Sequence, residues 1–439
     1  MEKYSGKGNR CVRASGANMM SSLRSDIKVA LKNGFVHIFS ANVINKIIQF
    51  GTSIVVVRIV SKEIYGQWSY ANNVLNFFLL LSGLGVASGL LQFASSSSNT
   101  IDKLSYLKYS LRVGPSFNLI VAIALFCFSW IIKLPLAGST EILRWLSFVP
   151  LFTISFDIIQ SFLRAELKNK KFSILTVVNT LSLFLSILAL GYCYQVKGLI
   201  LSRYIAYSIT LMVAVYIMKP YLSLYKTVSL PHRGDRILFL KFSVTAMLSN
   251  VISQILYLID VLLIGLIVKS DTVVATYRTS TLVPFALNFI PLSVITYVYP
   301  YFARKKEDKQ WVKKYYHRLI KYLLFLNSFI SILLIITAPL VIRILFGSRY
   351  LDAVTTFRIL AFGYLIAGTF RIPAGNILAS LGKVKMNLWN AIISGSANIV
   401  LDVLLIKAYG AVGAAVATVL VFVISSFVSY LYLEKYFKT

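Results

Sequence analysis

Acidic residues are scarce in this chain of 439 residues, where 15 Asp and Glu face 45 Lys and Arg and leave a formal net charge of +30. In a soluble protein such an excess of positive charge would indicate a nucleic-acid partner. The basic residues here lie between long apolar runs, however, since 57% of the chain is hydrophobic and its mean hydropathy is +0.75. We therefore expect no nucleic-acid binding, and we attribute the charge to membrane topology and attraction to anionic lipid.

Residues that carry metal and covalent chemistry are also few. The three His and three Cys residues are widely scattered, so they form neither a metal-ligand spacing nor a disulfide framework. The chain also lacks a phosphate-binding loop and a nucleophile elbow. These absences argue against a metal site, a cofactor, and ATP-driven or hydrolytic enzyme chemistry.

Apolar length is what the chain has in abundance. About twelve apolar runs of roughly 20 residues are each long enough to cross a hydrocarbon core. We place them at 35–57, 71–93, 113–132, 145–163, 172–194, 198–218, 242–268, 279–302, 319–342, 359–378, 387–406 and 410–433. The sequence therefore predicts an all-α polytopic membrane protein with about 12 transmembrane helices.

The basic residues indicate how these spans are oriented. Lys and Arg concentrate in the connections on the side of both chain ends, most densely at 303–318, and positive loops stay in the cytoplasm during insertion. We expect both termini to be cytoplasmic. The predicted domains are a partly disordered tail with an interfacial segment at 1–34, an N-lobe at 35–218, a cytoplasmic linker at 219–241, and a C-lobe at 242–439 that ends in a short cytoplasmic tail.

An internal repeat divides the spans into two sets of six. Residues 141–171 align without a gap with 355–385, placing Arg144 opposite Arg358. A second match pairs 41–50 with 249–258 at nearly the same offset. Because six is even, both halves keep the same membrane orientation, which is typical of parallel repeats. We expect two six-helix lobes related by a parallel pseudo-two-fold axis around a central cavity.

Polar residues inside the spans are the candidate functional residues. In spans 1, 7 and 11 they recur at helical spacing, and in span 11 Asn390, Ser394, Asn398 and Asp402 step by fours. A charge facing lipid near the bilayer centre would cost about 2.5–3.5 kcal/mol, so these residues must face protein or an aqueous cavity. The candidates for substrate binding and the lumen are Asn42, Asn45, Lys46, Gln49, Arg58, Arg203, Asn250, Gln254, Arg278 and Arg371. The candidates for ion coupling or ion pairing are Asp157, Asp260 and Asp402.

Structural alternatives apply to several of these residues. An Asn or Ser within a span often only bonds a neighbouring helix. Arg58 and Arg278 lie at span ends, where their guanidinium groups could snorkel to lipid headgroups. For Asp260, one hypothesis is cation uptake, and the other is pairing with a cation such as Arg371 in the same lobe.

Several runs resemble motifs of a known family. LIDVLLIGLIVKSDTVVATYRTSTLVPF at 258–285 resembles the seventh-to-eighth span signature of bacterial polysaccharide-export flippases. The same resemblance holds for KEIYGQ after span 1, FLRAELKNKK after span 4, LASLGKVK after span 10 and YGAVGAAVAT at the start of span 12, which stand in the family's order. The chain after about residue 30 is thus similar to the Wzx proteins of the multidrug/oligosaccharidyl-lipid/polysaccharide superfamily. It departs from them at Ala275, where many relatives have an acidic residue or Gly.

The resemblance implies a function that is not enzymatic. Its members move undecaprenyl-diphosphate-linked oligosaccharide repeat units, such as O-antigen units, across the bacterial inner membrane by alternating access. Lys46, Arg203 and Arg371 could hold the diphosphate by charge-assisted hydrogen bonds. Membrane lipid, H⁺ or Na⁺, and a glycan polymerase or chain-length complex are the expected partners. The alternatives are a cation-coupled drug antiporter of the same superfamily and a non-transporting scaffold of a glycan assembly complex.

Overall fold

The computed structural model describes residues 35–438, except for the side chains of residues 35–42 and of residues 252, 253, 256, 257 and 384. Across this range the chain is helical and contains no β-strand. The first six spans are α1 (Phe35–Ile59), α2 (Lys62–Leu79 and Val86–Ser96), α3 (Thr100–Ile131), α4 (Ser139–Leu146 and Val149–Ala165), α5 (169–194) and α6 (196–218). The second six are α7 (Arg233–Val268), α8 (Asp271–Ala286 and Phe289–Arg304), α9 (Lys309–Leu345), α10 (Val354–Ile366, continuing to Ile372–Ser380), α11 (384–409) and α12 (411–438).

Two long helical stretches fold back on themselves. Asn179 donates to Thr210 at 3.2 Å although 31 residues separate them, a distance of about 46 Å along a straight helix. The reversal lies at Gln195, whose φ of 48° and ψ of −124° are not helical. Gly410 makes the equivalent reversal and brings Asn390 within 2.7 Å of Ser429. Each stretch therefore contributes two antiparallel spans.

These reversals settle the number of spans between residues 35 and 438. Six helices there are long and apolar enough to cross a membrane, or eight if the bent pairs of α2 and α4 each count as one span. Two of the six hold the reversals, and α1 and α7, with 25 and 36 residues, complete the set. The chain is a multi-pass membrane protein with twelve traverses, so the predicted all-α polytopic fold is confirmed. Both ends of the described chain share one side, here called the terminal face, and the opposite side is the distal face.

Some segment boundaries differ from those predicted. The seventh span begins at Arg233, well before residue 242, because it continues as one helix out of the linker. The linker itself contains a short helix, Leu222–Thr227. Lys108 of α3 fastens this segment by donating to the carbonyls of Val228 at 2.7 Å and Tyr225 at 3.3 Å. The predicted disordered tail at 1–34 lies outside the described residues.

The hydrophobic cores show how the lobes meet. On the distal half one core is shared, and it joins Val57 and Leu75 of the N-lobe to Ile264 and Val274 of the C-lobe. On the terminal half the N-lobe and the C-lobe have separate cores. The two lobes are therefore joined toward the distal face and diverge toward the terminal face.

One contact joins the lobes on the terminal half. The second segment of α2 packs against α7 so closely that a Cβ added to Gly89 would lie 2.0 Å from Ser243 Oγ. Phe239 of α7 is buried in the N-lobe core. By contrast, Ile47 of α1 and Tyr297 of α8 are largely exposed. Among the described residues the second segment of α8 does not pack closely against α1, so the lobes diverge mainly on that side.

Arg144 and Arg358, which occupy equivalent positions in the two halves, make equivalent hydrogen bonds. Arg144 donates to the Ser129 carbonyl at the end of α3 at 3.2 Å, and Arg358 donates to the Ile335 carbonyl of α9 at 3.1 Å. This pair is the one that the sequence repeat aligns. The structure therefore gives a physical basis to that match, since each arginine ties the third helix of its lobe to the fourth.

A buried asparagine supports the break in α2. Gly83, Leu84 and Gly85 all have positive φ, so the helix loses its regular hydrogen bonds there. Asn118 of α3 accepts from Gly83 N at 2.6 Å and donates to the carbonyl of Pro150 in α4 at 2.6 Å. This one side chain replaces a lost backbone bond and holds three helices together at the bend.

Candidate functional site: a buried carboxylate pair and the opening between the lobes

Asp260 of α7 lies among hydrogen-bond donors in the C-lobe and is only 6% exposed. Its Oδ2 accepts from the hydroxyl of Tyr277 in α8 and from Thr418 Oγ1 in α12 at 2.9 Å. Its Oδ1 accepts from Asn398 Nδ2 of α11 at 3.3 Å. Hydrogen bonds to a carboxylate are charge-assisted, so Asp260 connects four helices of one lobe.

A second carboxylate stands beside the first. Asp402 is fully buried one turn after Asn398, and its Oδ2 accepts from the same Asn398 Nδ2 at 3.1 Å. Its Oδ1 has no hydrogen-bond partner. Two neighbouring carboxylates repel each other unless a proton or another cation reduces their charge. The pair joined by Asn398 is therefore suited to holding a cation.

Arg371 lines the same cavity as Asp260, Asn398 and Thr418. It stands in a π-helical turn of α10, Ala367–Arg371, a feature that re-aims side chains and is frequent at functional sites. Its guanidinium lies 5.1 Å from the ring centroid of Phe422. The cavity therefore has both a negative and a positive lining group, the carboxylate of Asp260 and the guanidinium of Arg371.

The N-lobe candidates form a separate group. The guanidinium of Arg203 in α6 lies 5.3 Å from the ring centroid of Trp68, a cation–π contact. Tyr207, one turn farther, interacts electrostatically with both Arg203 and Asp157. Arg203 and Asp157 thus both lie near Tyr207, and their roles stay predictions.

The polar stripe of α1 is divided by the fold. Lys46 and Gln49 are exposed, whereas Asn45 is 4% exposed and neither of its amide atoms has a hydrogen-bond partner. α1 packs chiefly against α5, and the burial of Asn45 indicates that it lies on the packed side of α1. The side chain of Asn42 lies outside the described part. On α7, the candidates Asn250 and Gln254 are exposed.

The distal face carries a set of contacts between the lobes. Arg58 at the end of α1 donates to the carbonyls of Ile344 and of Leu345, the latter at 2.8 Å. In return, Arg349 donates to the Val57 carbonyl at 2.6 Å. Each arginine thus satisfies backbone carbonyls that end a helix of the other lobe. This bonding is a structural alternative to the predicted lumen role of Arg58.

Side chains reinforce the same closure. Lys62 Nζ lies 2.5 Å from Asp352 Oδ2, which also accepts from Thr276 Oγ1 at 2.7 Å. Gln67 donates to Asp271 at 2.8 Å. The last distal candidate, Arg278, is half-buried in α8. The lobes are therefore closed at the distal face.

Sequence reasoning missed two residues of the carboxylate site, Tyr277 and Thr418. Both lie in runs that resemble family motifs. Neither was chosen as a candidate, because Tyr and Thr are ordinary core residues in apolar helices. The step of four that includes Asn398 and Asp402 did point to the site. The other half of that stripe bonds α12 instead, with Asn390 donating to Ser429 at 2.7 Å, as the structural alternative anticipated. The described residues contain no cluster of three or more His, Cys, Asp or Glu that could hold a metal.

A comparison with models of known protein families shows the family of this chain. The family model described as "Polysaccharide biosynthesis protein" matches residues 55–355. The chain belongs to this family. Among curated proteins, 135 residues are 29% identical to the "Uncharacterized membrane protein MJ1068" of Methanocaldococcus jannaschii. That match covers 30% of this chain and only 26% of the relative.

Solved structures show the same fold. An inward-facing multidrug resistance MATE family transporter of the MOP superfamily has a TM-score of 0.73 at 12% identity, covering 90% of this chain and 94% of that one. The lipid II flippase MurJ in an inward closed conformation has a TM-score of 0.68 at 15% identity, with coverages of 91% and 88%. A MOP superfamily transporter from Pyrococcus furiosus reaches 0.58 at 13% identity, with coverages of 93% and 95%. This family member therefore has the two-lobed MOP superfamily fold.

Proposed function

We propose that this protein is a flippase that carries undecaprenyl-diphosphate-linked oligosaccharide repeat units across the bacterial inner membrane. The observation that carries the proposal is the divergence of the two lobes toward the terminal face, where Lys46 and Gln49 of α1 and Asn250 and Gln254 of α7 are exposed. Membership in a polysaccharide biosynthesis family and the fold shared with a lipid II flippase support a lipid-linked glycan as substrate.

The orientation follows from the charge distribution. The terminal face carries the basic connections, including residues 303–318, so we assign it to the cytoplasm. The closed distal face then lies outside, and the conformation faces inward. A substrate made in the cytoplasmic leaflet would reach an open cavity, while its polyprenyl tail would remain in lipid on the side where α1 and α8 diverge.

The charges suit a diphosphate. Lys46 and Arg371 provide positive charge in the two lobes, and the polar side chains of α1 and α7 offer hydrogen bonds to sugars. In a membrane that is negative inside, outward movement of each negative charge gains about 2.3 kcal/mol per 100 mV. Outward transport of the anionic lipid is therefore electrically favourable.

The carboxylate pair supports coupling to a monovalent cation. Asp260, Asp402 and Thr418 bring carboxylate and hydroxyl oxygens from three helices together in a buried position, and Asn398 links the two carboxylates through its Nδ2. Oxygen ligands suit hard cations such as sodium, and Asp402 Oδ1 is left without a hydrogen-bond partner. We assign a cation to this pair. Measurements with Na⁺ at fixed pH and across pH without Na⁺ would show whether that cation is Na⁺ or H⁺.

The same carboxylates favour one second candidate, a cation-coupled drug antiporter. A cationic drug would bind at the cavity that Asp260 lines. Expelling it would oppose the membrane potential, however, and Lys46 and Arg371 would repel it. The flippase is therefore the better supported function.

Depletion of the protein tests the two against each other. A flippase defect should make lipid-linked oligosaccharide accumulate in the cytoplasmic leaflet, with loss of surface glycan and unchanged drug susceptibility. Re-expression should restore the glycan. Normal glycan together with heightened sensitivity to cationic drugs would instead identify the antiporter.

A further inference from the structure

Tyr277 is a direct link between the carboxylate pair and α8. Its hydroxyl donates to Asp260 Oδ2 and lies 3.1 Å from Thr418 Oγ1. The ring is 1% exposed, so the hydroxyl has no access to bulk water in this state. A hydrogen bond to a carboxylate is charge-assisted, so a cation that offset the charge of this carboxylate would weaken the bond.

The neighbouring residue reaches the contact between the lobes. Thr276 donates to Asp352 Oδ2 at 2.7 Å, and the same oxygen lies 2.5 Å from Lys62 Nζ of the N-lobe. Thr276 and Tyr277 belong to one uninterrupted segment of α8, Asp271–Ala286. A rigid helical segment transmits a displacement of one residue to the next, so the two bonding systems are mechanically connected.

The rest of that segment also holds the lobes together. Asp271 accepts from Gln67 at 2.8 Å. Gly66 packs so closely on Asp271 that an added Cβ would lie 2.0 Å from its carbonyl oxygen. The first segment of α8 therefore bears on the N-lobe at its beginning and on the carboxylate pair at Tyr277.

We propose that Tyr277 couples occupancy of the carboxylate pair to opening of the distal face, an inference that rests on the cation site of the proposed function. A cation between Asp260 and Asp402 competes with the Tyr277 hydroxyl for the charge on Asp260. The bond weakens, and the first segment of α8 is released from α7 and α12. The bond of Thr276 to Asp352, which pairs with Lys62 of the N-lobe, and the bond between Asp271 and Gln67 then loosen, and the distal face opens.

The bond of Tyr277 to Asp260 and the bond of Thr276 to Asp352 both start from α8, as this coupling requires. The described hydrogen bonds of Asp260 and Asp402 lie within the C-lobe, so an effect of a bound cation on lobe closure requires an element that also touches the N-lobe. Physical intermediacy alone does not establish coupling, so the energetic link must be measured. Tyr277→Phe removes only the hydroxyl and keeps the ring in its core position, which makes it the informative variant.

The experiment follows the distal opening in proteoliposomes by spin-label distance measurement. Labels are placed at Lys133→Cys and Lys407→Cys, exposed distal residues of the two lobes, after replacement of the native cysteines. Each protein is measured with and without Na⁺ at fixed pH, and separately across pH without Na⁺. Cation binding is recorded in parallel as the shift in thermal stability. Tyr297→Phe, an exposed tyrosine in the second segment of α8, is the matched control.

We expect the cation to lengthen the distal distance in the unsubstituted protein and in Tyr297→Phe. In Tyr277→Phe the thermal shift should persist while the change in distance is lost. In a double-mutant cycle of Tyr277→Phe with Asp352→Asn, the effects of the two substitutions on the distal distance should not be additive. The arm that responds, Na⁺ or pH, identifies the cation.

Three results would overturn the inference. If Tyr277→Phe opens with the cation as the unsubstituted protein does, Tyr277 is no coupling element, and the proposed cation site stands. If Tyr277→Phe loses the thermal shift as well, the tyrosine merely builds the site. If the unsubstituted protein shows no thermal shift with either Na⁺ or H⁺, the cation part of the proposed function fails, and this inference fails with it.

Discussion

Gln195 and Gly410 adopt the same backbone conformation at the same point of the two lobes. Their φ and ψ angles are 48° and −124° for Gln195 and 55° and −127° for Gly410. Three residues later, Gly198 and Gly413 each approach a carbonyl so closely that an added Cβ would lie 2.0 Å from it. The fifth-to-sixth and eleventh-to-twelfth turns are therefore copies of one structure, and only one keeps the glycine that its conformation favours.

This asymmetry gives a first prediction. A non-glycine residue in this conformation stores about 1–3 kcal/mol of strain, part of which is offset because glycine is more flexible in the unfolded chain. We expect Gln195→Gly to raise the melting temperature in detergent. Gly410→Ala should lower stability by about 1–3 kcal/mol. If Gln195→Gly destabilises the protein, the prediction is wrong, and the interactions of the Gln195 side chain contribute more stability than the backbone strain costs.

The reciprocal arginines of the distal face give a second prediction. Arg58 and Arg349 each bond carbonyls that end a helix of the opposite lobe, so removing one leaves these acceptors to water and weakens the closed state. Arg58→Met and Arg349→Met should each increase labelling of distal cavity cysteines. A hydrogen bond from a charged donor contributes about 1.5–3 kcal/mol, enough to change the open population severalfold or more. Arg343→Met, an exposed arginine of the same region, is the control, and labelling equal to that control would contradict the prediction.

Lys46 gives the third prediction. Its exposed position on α1, where the lobes diverge, fits a charge that meets the diphosphate. Lys46→Ala should abolish surface glycan, while Lys46→Arg should retain part of it because the charge is kept. Lys321→Ala, which removes an exposed lysine of α9, should export normally. Export by both Lys46 variants at normal protein levels would leave Lys46 a purely structural role.

The sequence predicted the architecture well because membrane spans obey a strong and local rule. Apolar length and basic connections indicated the spans, and the alignment of Arg144 with Arg358 identified a repeat in which both arginines bond a carbonyl of the third helix of their lobe. What local patterns did not reveal is the bending of α2 at Gly83, since it depends on Asn118 of another helix. The early start of α7 was missed for a similar reason, because a basic linker and a basic first helical turn look alike.

The candidate site was predicted only in part. Charges within spans drew attention to Asp260, Asp402 and Arg371, and the structure places all three in one lobe near one cavity. None of their described contacts is with Lys46. Tyr277 and Thr418 escaped notice since nothing in a single sequence shows which ordinary core residue faces a carboxylate. Asn45 shows the opposite failure, because helical spacing could not tell the side that packs on α5 from the exposed side.

The carboxylate pair gives the last prediction. Asp260→Asn and Asp402→Asn each keep the side-chain shape and remove one of two neighbouring charges. Without the repulsion between them the site no longer needs a cation, so either variant should fold and insert but lose cation-dependent stabilisation. At a cation concentration one hundred times the dissociation constant, that stabilisation is about 2.7 kcal/mol in the unsubstituted protein. Export and substrate-dependent cation flux in vesicles should be lost together. Asp102→Asn, at the exposed first turn of α3, controls for a change in net charge. A variant at Asp260 that folds poorly while retaining normal cation flux would show instead that the carboxylate only ties α7 to α8, α11 and α12.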